Sequence, residues 1–381
     1  MGRSLPQPAV EEVALLEASG RVLAEKIAAD RDYPPLDRSM RDGYAMRSGD
    51  GTRSLRVVGE VRAGEIYDGE CGEGEAVEIM TGAPVPSGAG GVVMVEHVQR
   101  RNGVVLVDRP PKAGENINAR GAEARRGDPM LDPGRRLGFA EIALLATAGK
   151  ARVKVYARPR VAIVSTGDEL VGVDENPKDH QIRNSNAYSL AIQTVRAGGT
   201  PLILPIARDD WESTGSAVAR GLEADLLLLS GGVSAGKYDI VERVLAEFGA
   251  EFFFDRVRVQ PGQPLVFGRA QNKFFFGLPG NPASTMVTFE VFARAAVEML
   301  GGESEPRLPL LHTRLAGPFR HKAGLTRFLP ACLSPDGAAL TPVPWKGSGD
   351  LAALGRANAF LVAEPDREIY EAGDWIQVLP R

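Results

Sequence analysis

The chain has 381 residues, 44% of them hydrophobic and 25% charged, with a formal net charge of −4. It is too long for one ordinary domain, so two to four are expected, each with enough apolar material for a core. The acidic balance and the lack of a long basic run exclude a nucleic-acid binder, which needs a clustered cationic face.

Residues 1–12 carry no apolar signal core, and no apolar run approaches the roughly 20 residues of a membrane helix, so a cytoplasmic protein without membrane contact is expected. The spacing of Val13, Leu15, Leu16, Val22, Leu23 and Ile27 predicts an amphipathic helix over residues 10–30, interrupted near Ser19-Gly20. Pro34-Pro35 stops it. From Asp37 to about Arg126, short β-like runs at 55–58, 76–80, 91–95 and 104–107 are split by Gly and Pro, which predicts an all-β module. A helical apolar stretch returns over 137–149, so the β module is expected to interrupt a helical domain.

Beyond Arg158-Pro159, strands (160–165, 202–206, 225–230, 273–277) alternate with helices (185–197, 211–222, 239–248, 282–300). Runs apolar on both faces imply a mostly parallel sheet between helices. After Gly301-Gly302 the chain returns to short strands and turns, as expected of a small β barrel or sandwich. The fold class is therefore α/β multidomain. The expected division is a discontinuous helical domain (1–33 and 127–157), an inserted β-rich domain (34–126), an α/β domain (158–302) and a C-terminal β barrel (303–381).

Ligands of open parallel sheets bind beyond the carboxyl ends of the strands. Three polar turns fall there: 165–169, 230–239 and 278–282. Gly231, Gly232 and Gly236 let backbone N–H groups approach an anion, and Gly280-Asn281 opens a helix whose N-terminus suits phosphate. Glu169, Asp209, Asp210 and Asp239 are hard oxygen donors that suit Mg²⁺ beside a phosphorylated ligand. Each turn alone is most often just a turn, and Asp209-Asp210 before a helix reads equally well as an N-cap. Asp168 and Asp225 likewise read as capping or solvated residues. Cys71 and Cys332 lack partner motifs, and His97, His180, His312 and His321 lack ligand spacing, so neither a disulfide framework nor a zinc site is expected. No Ser-His-Asp or Cys-His set is evident. The residues by themselves point to a phosphorylated or nucleotide-like ligand with Mg²⁺.

The motifs STGDEL (165–170), QIRNSN (181–186), RDD (208–210), SGGVSAGKYD (230–239), PGQPLVFG (261–268) and GLPGNPAS (277–284) resemble the molybdopterin-binding domain. With PPLDRSMRDGYA (34–45), EIMTGAPVPSGAGGVVMVE (78–96) and GENINARGAEARRGD (114–128), the whole chain resembles the molybdopterin molybdenumtransferase family. The resemblance implies a homodimer with a shared active site, in which the discontinuous helical domain serves dimerisation. It implies insertion of molybdate into adenylyl-molybdopterin with release of AMP, dependent on Mg²⁺. The implied catalytic residues are Asp42, Thr81, Glu169, Asp209 and Asp239, with Glu169, Asp209 and Asp239 as metal ligands. The implied substrate-binding residues are Thr166, Gly167, Ser230, Gly231, Gly232, Ser234, Pro279, Gly280, Asn281 and Pro282.

The chain departs from the family pattern at Met40-Arg41, at Gly88-Ala89-Gly90 and at Gly121-Ala122-Glu123. The largest departure is Gln260 and Gln263, which stand where the family commonly has lysines. Charge-assisted bonds to an anion are strong, so Lys237, Arg256, Arg258, Arg38 or Arg41 is expected to supply the missing cation. The alternative reading is a paralogue that binds the pterin but inserts metal weakly.

Overall fold

The computed structural model describes residues 8–50, 53–232 and 240–381. They fall into two units, one of residues up to Ala24 with Gly134–Gly138 and from Arg152 onward, the other of residues within Glu25–Pro133 with Phe139–Ala151.

In the second unit, six strands form one sheet in the order Gly91–Met94, Gly43–Met46, Glu75–Ile79, Ser54–Val61, Val104–Val107, Val98–Arg101. Four of these are the runs read from sequence. Successive side chains of a strand face opposite ways, and here both faces are covered: Tyr44 and Met46 enter one core, Ala45 the other. Gly43 has no alternative, since a Cβ there would sit 1.9 Å from the Val93 carbonyl oxygen. Strand Ile27–Ala28 pairs antiparallel with Pro129–Leu131, and helix α1, Phe139–Thr147, is the helix expected over 137–149.

The helix expected over 10–30 does not form. Residues Val10–Ala14 are a strand paired antiparallel with Arg152–Tyr156, followed by a 3₁₀ turn, Leu15–Ala18. Bridges Val22 to Arg136 and Leu23 to Val155 continue the pairing. Burial therefore comes from distant strands rather than from a helical stripe, which leaves Leu23 inaccessible and Leu16 83% exposed.

The first unit holds the central sheet. Its strands are β1 (Arg160–Ser165), β2 (Thr200–Ile203), β3 (Leu226–Ser230), β4 (Glu251–Arg256), β5 (Pro264–Ala270) and β6 (Lys273–Leu278), in the order β2-β1-β3-β6-β5-β4. The first four run parallel, and β5 and β4 add antiparallel. Helices α2 (Asn186–Arg196), α3 (Trp211–Gly221) and α4 (Ile240–Glu247) follow β1, β2 and β3. The helix after β6 runs as Pro282–Thr288, a π segment Phe289–Ala293, then Arg294–Leu300. Val161, Ile163, Leu226 and Leu228 pack on one side of the sheet, and Ala162, Val164, Leu227 and Leu229 on the other. This double covering is what the unbroken apolar runs required.

The C-terminal strands form a closed ring: Thr326–Leu333, Ala339–Pro342, Leu311–Leu315, Trp375–Pro380, Ala359–Ala363, back to Thr326–Leu333. It is a barrel rather than a sandwich. Among the described residues, no helix is long and apolar enough to cross a membrane.

Candidate functional site

Ser165, Ser230 and Leu278 lie in register across β1, β3 and β6. The three strands therefore end level, and their following turns meet at one rim. There they line a cleft of about 1340 Å³. Its wall contains Thr166, Gly167, Glu169, Asp209, Ser230, Gly231, Gly232, Pro279, Gly280, Asn281 and Pro282. Eleven residues read from sequence are thus brought together. Ser234, Gly236, Lys237 and Asp239 lie outside the described residues. Asp42 and Thr81 belong to the second unit, where the Thr81 N–H donates to Asp42 Oδ1 at 2.6 Å. That bond, and a second from the Thr81 side chain, holds the exposed Asp42 carboxyl below its usual range.

The turns are bonded to one another. Thr166 donates its N–H to the Ser230 carbonyl at 3.0 Å, and Gly167 to that of Ala207 at 3.1 Å. The Gly231 N–H goes to Leu278 O at 3.2 Å, so this glycine does not offer its amide to an anion. Its requirement is spatial: φ is +95°, and a Cβ would lie 2.6 Å from Thr166 O. The helix opening at Pro282 is also different from expectation. Proline has no N–H, and Ala283 gives its own to Ser348 O at 2.9 Å, so a loop of the barrel domain occupies part of the anticipated phosphate site.

Asparagines from the segment 181–186 hold the rim together. Ser165 Oγ donates to Asn184 Oδ1 at 3.1 Å, and that oxygen also accepts the Ala187 N–H at 3.2 Å. Asn186 Nδ2 donates to Ser230 Oγ at 2.9 Å and to Gly280 O at 2.7 Å. Two buried oxygens in this wall, Thr166 Oγ1 and Asn186 Oδ1, have no partner among the described residues. Buried polar atoms are nearly always satisfied, so these two stand out among the described residues of the rim. Neither asparagine was singled out in the sequence, although both stand in the quoted QIRNSN segment.

The four ambiguous aspartates separate. Asp210 caps α3, accepting the Ser213 N–H at 2.7 Å, while Asp209 lines the cleft. Asp168 Oδ1 accepts the Asp209 N–H at 3.3 Å and so positions that loop. Asp225 is structural, accepting the Arg160 N–H at 2.8 Å and pairing with Lys273 at 3.4 Å.

Among the described residues, Glu169 and Asp209 are the carboxylates of the wall, and Arg183 and Arg243 its cations. Neither Arg256 nor Arg258 lines it, and Arg258 instead donates to Gly324 O at 3.2 Å. Arg38 and Arg41 belong to the second unit. Of the cations expected there, Arg256 and Arg258 are thus not in the described wall, which holds Arg183 and Arg243 instead. Gln260 and Gln263 are exposed and absent from the wall. No group of three His, Cys, Asp or Glu side chains that could hold a metal occurs among the described residues. Glu169 and Asp209 still fit Mg²⁺, which commonly takes one or two carboxylates and completes its shell with phosphate and water.

Nearly the whole chain matches known protein families. Residues 2–149 match the MoeA N-terminal region (domain I and II), 162–299 a probable molybdopterin binding domain, and 312–380 the MoeA C-terminal region (domain IV). A Bacillus subtilis (strain 168) protein named molybdopterin molybdenumtransferase is 35% identical, over 98% of this chain and 90% of its own length. One of that name from Nostoc sp. is 39% identical, over 78% of this chain and 70% of its own length. The molybdopterin biosynthesis moeA protein of Pyrococcus horikoshii OT3 superposes with a TM-score of 0.81 at 27% identity, covering 100% of this chain and 96% of that one.

Proposed function

Because the chain belongs to the molybdopterin molybdenumtransferase family, matching its N-terminal, molybdopterin-binding and C-terminal regions in order, we propose that it inserts molybdate into adenylyl-molybdopterin and releases AMP. The observation that carries this reading is the cleft at the level ends of β1, β3 and β6, whose wall offers carboxylates and guanidiniums to one polar ligand. The asparagine clamp of Asn184 and Asn186 fixes the rim against which the pterin substrate is oriented. Glu169 and Asp209, with Asp239, hold Mg²⁺. When bound, the metal neutralises charge that builds on the phosphates as the anhydride breaks. No protein nucleophile is needed.

The reading includes a cytoplasmic homodimer in which Asp42 and Thr81 of one subunit complete the cleft of the other. The Asp42 carboxylate is already held ionised by its bonds to Thr81, ready to orient a water or molybdate oxygen. A paralogue with weak or altered metal insertion was the alternative that Gln260 and Gln263 raised, and their absence from the wall leaves it without support there.

Purified protein incubated with adenylyl-molybdopterin, Mg²⁺ and increasing molybdate tests the proposal. AMP release that depends on molybdate and disappears in Glu169→Ala and Asp239→Ala is expected. Tight binding of the adenylylated pterin without AMP release at any molybdate level would overturn it.

A further inference from the structure

One pair of side chains at the cleft has no task in the reaction as derived so far. Arg243 lines the cleft from α4, one helical turn after Ile240, so both project from the same face of that helix. The Arg243 guanidinium lies over the Trp211 ring, 5.5 Å from its centroid. Trp211 is the first residue of α3, set in place by the Asp210 cap, and α3 packs against α4. Arg243 lines the wall and Trp211 does not, so of the pair it is the arginine that meets the cleft. The wall's other cation, Arg183, is held differently, its Nε donating to Glu175 O at 3.0 Å.

A guanidinium is planar and stacks on aromatic rings from either face. Within cation–π reach of Trp211, such a group still has a flat, weakly hydrated cationic face to give to a second ring, and the apolar Ile240 lines the cleft beside it. That is poor packing for a sugar or a pterin phosphate and good packing for a nucleobase, whose π face stacks on aromatic and guanidinium planes. We propose that Arg243, laid on Trp211, is the stacking platform for the adenine ring of the adenylyl substrate. The assignment rests on the function proposed above and adds where that substrate's base is bound. Arg243 is the binding residue. Trp211 is a positioning residue that keeps the guanidinium flat.

The platform differs from a simple phosphate contact in what it requires. A lysine keeps the charge and loses the plane. Binding of AMP and of ribose 5-phosphate is therefore measured on the full-length protein and on Arg243→Lys, Arg243→Ala and Trp211→Ala. Both side chains are partly or largely exposed, so the variants are expected to fold, and their thermal unfolding checks this. Arg243→Lys and Arg243→Ala should weaken AMP about tenfold, the loss of one stacked base, and leave ribose 5-phosphate unchanged. Trp211→Ala should weaken AMP alone, by a smaller factor. AMP should also change tryptophan fluorescence in the unaltered protein and fail to do so in Trp211→Phe. Equal weakening of both ligands by Arg243→Ala, with Arg243→Lys behaving as the unaltered protein, would make Arg243 a phosphate contact and overturn the platform. If the unaltered protein releases AMP on adding molybdate and yet none of the variants changes AMP binding, the platform is wrong and the proposed function stands. If the unaltered protein neither binds nor releases AMP, the proposed function fails and takes the platform with it.

Discussion

Asp210 accepts the Ser213 N–H at 2.7 Å and so satisfies one of the free amides that open α3. Its neighbour Asp209 makes no such bond to the helix and faces the cleft. Removing a cap costs about 1 kcal/mol, so Asp210→Ala should lower the urea midpoint of unfolding. Asp209→Ala should leave the unfolding free energy within about 0.5 kcal/mol of the unaltered protein, as at an exposed position, and abolish AMP release. The glycines of the rim divide in the same manner. Gly231 has φ of +95° and Thr166 O 2.6 Å from a notional Cβ, whereas a Cβ on Gly280 would meet nothing nearer than Gly231 Cα at 3.6 Å. Gly231→Ala should therefore cost more than about 1 kcal/mol and loosen ligand binding. Gly280→Ala should be neutral in thermal unfolding. A Gly280→Ala protein that unfolds as early as Gly231→Ala would contradict this account of the rim.

The helix after β6 carries a buried acid. Glu298 is 7% exposed; its Oε1 accepts from Arg294 at 3.1 Å, and its Oε2 has no partner among the described residues. Burial pushes its pKa up from 4.5 to about 7, helped by Glu303 and Glu290 and opposed by Arg294 and Arg136. A folded pKa above the unfolded one means that the native state holds the proton more tightly. Stability from this group is complete below about pH 4.5 and is lost as pH rises through about 7. The gap is worth about 3 kcal/mol at most. Urea unfolding between about pH 5 and about pH 8 should show this decline in the unaltered protein and a flatter profile in Glu298→Gln. Equal slopes in the two proteins would mean that Glu298 titrates normally. None of this was legible in the sequence, where Glu298 is one more charge on an amphipathic helix. The elements themselves were more legible. The runs at 160–165 and 226–229 could be read because a strand covered on both faces must be apolar throughout. The strand pairing of Val10–Ala14 with Arg152–Tyr156 could not, because its partner lies far along the chain and local spacing carries no trace of it. The antiparallel strands β4 and β5 were missed for a related reason: they are read as strands only once β6 is there to pair with β5.

At the scale of the molecule, the rim was legible as three turns, since parallel strands in register must end together, but the residues that tie it were not. Asn184 and Asn186 become visible only when β1 and β3 place Ser165 and Ser230 beside them. The same limit applies to Asp42 and Thr81, which the sequence sets with the site by resemblance while the described cleft wall is built wholly from the first unit. If the homodimer completes each cleft with Asp42 from the other subunit, Asp42→Ala and Glu169→Ala each destroy both sites of a homodimer. Mixed dimers, formed by co-expressing differently tagged copies, then contain one site with both defects and one with none. Restored activity of about a quarter of the unaltered level is expected from random pairing into twofold dimers, and about half from purified mixed dimers. A site formed within one subunit gives no rescue, because every site in the mixture then carries one defect or the other. The loss from Asp42→Ala should also persist from neutral pH into mild acid, since the Thr81 bonds keep the Asp42 carboxyl below its usual range and only strong acid removes its charge.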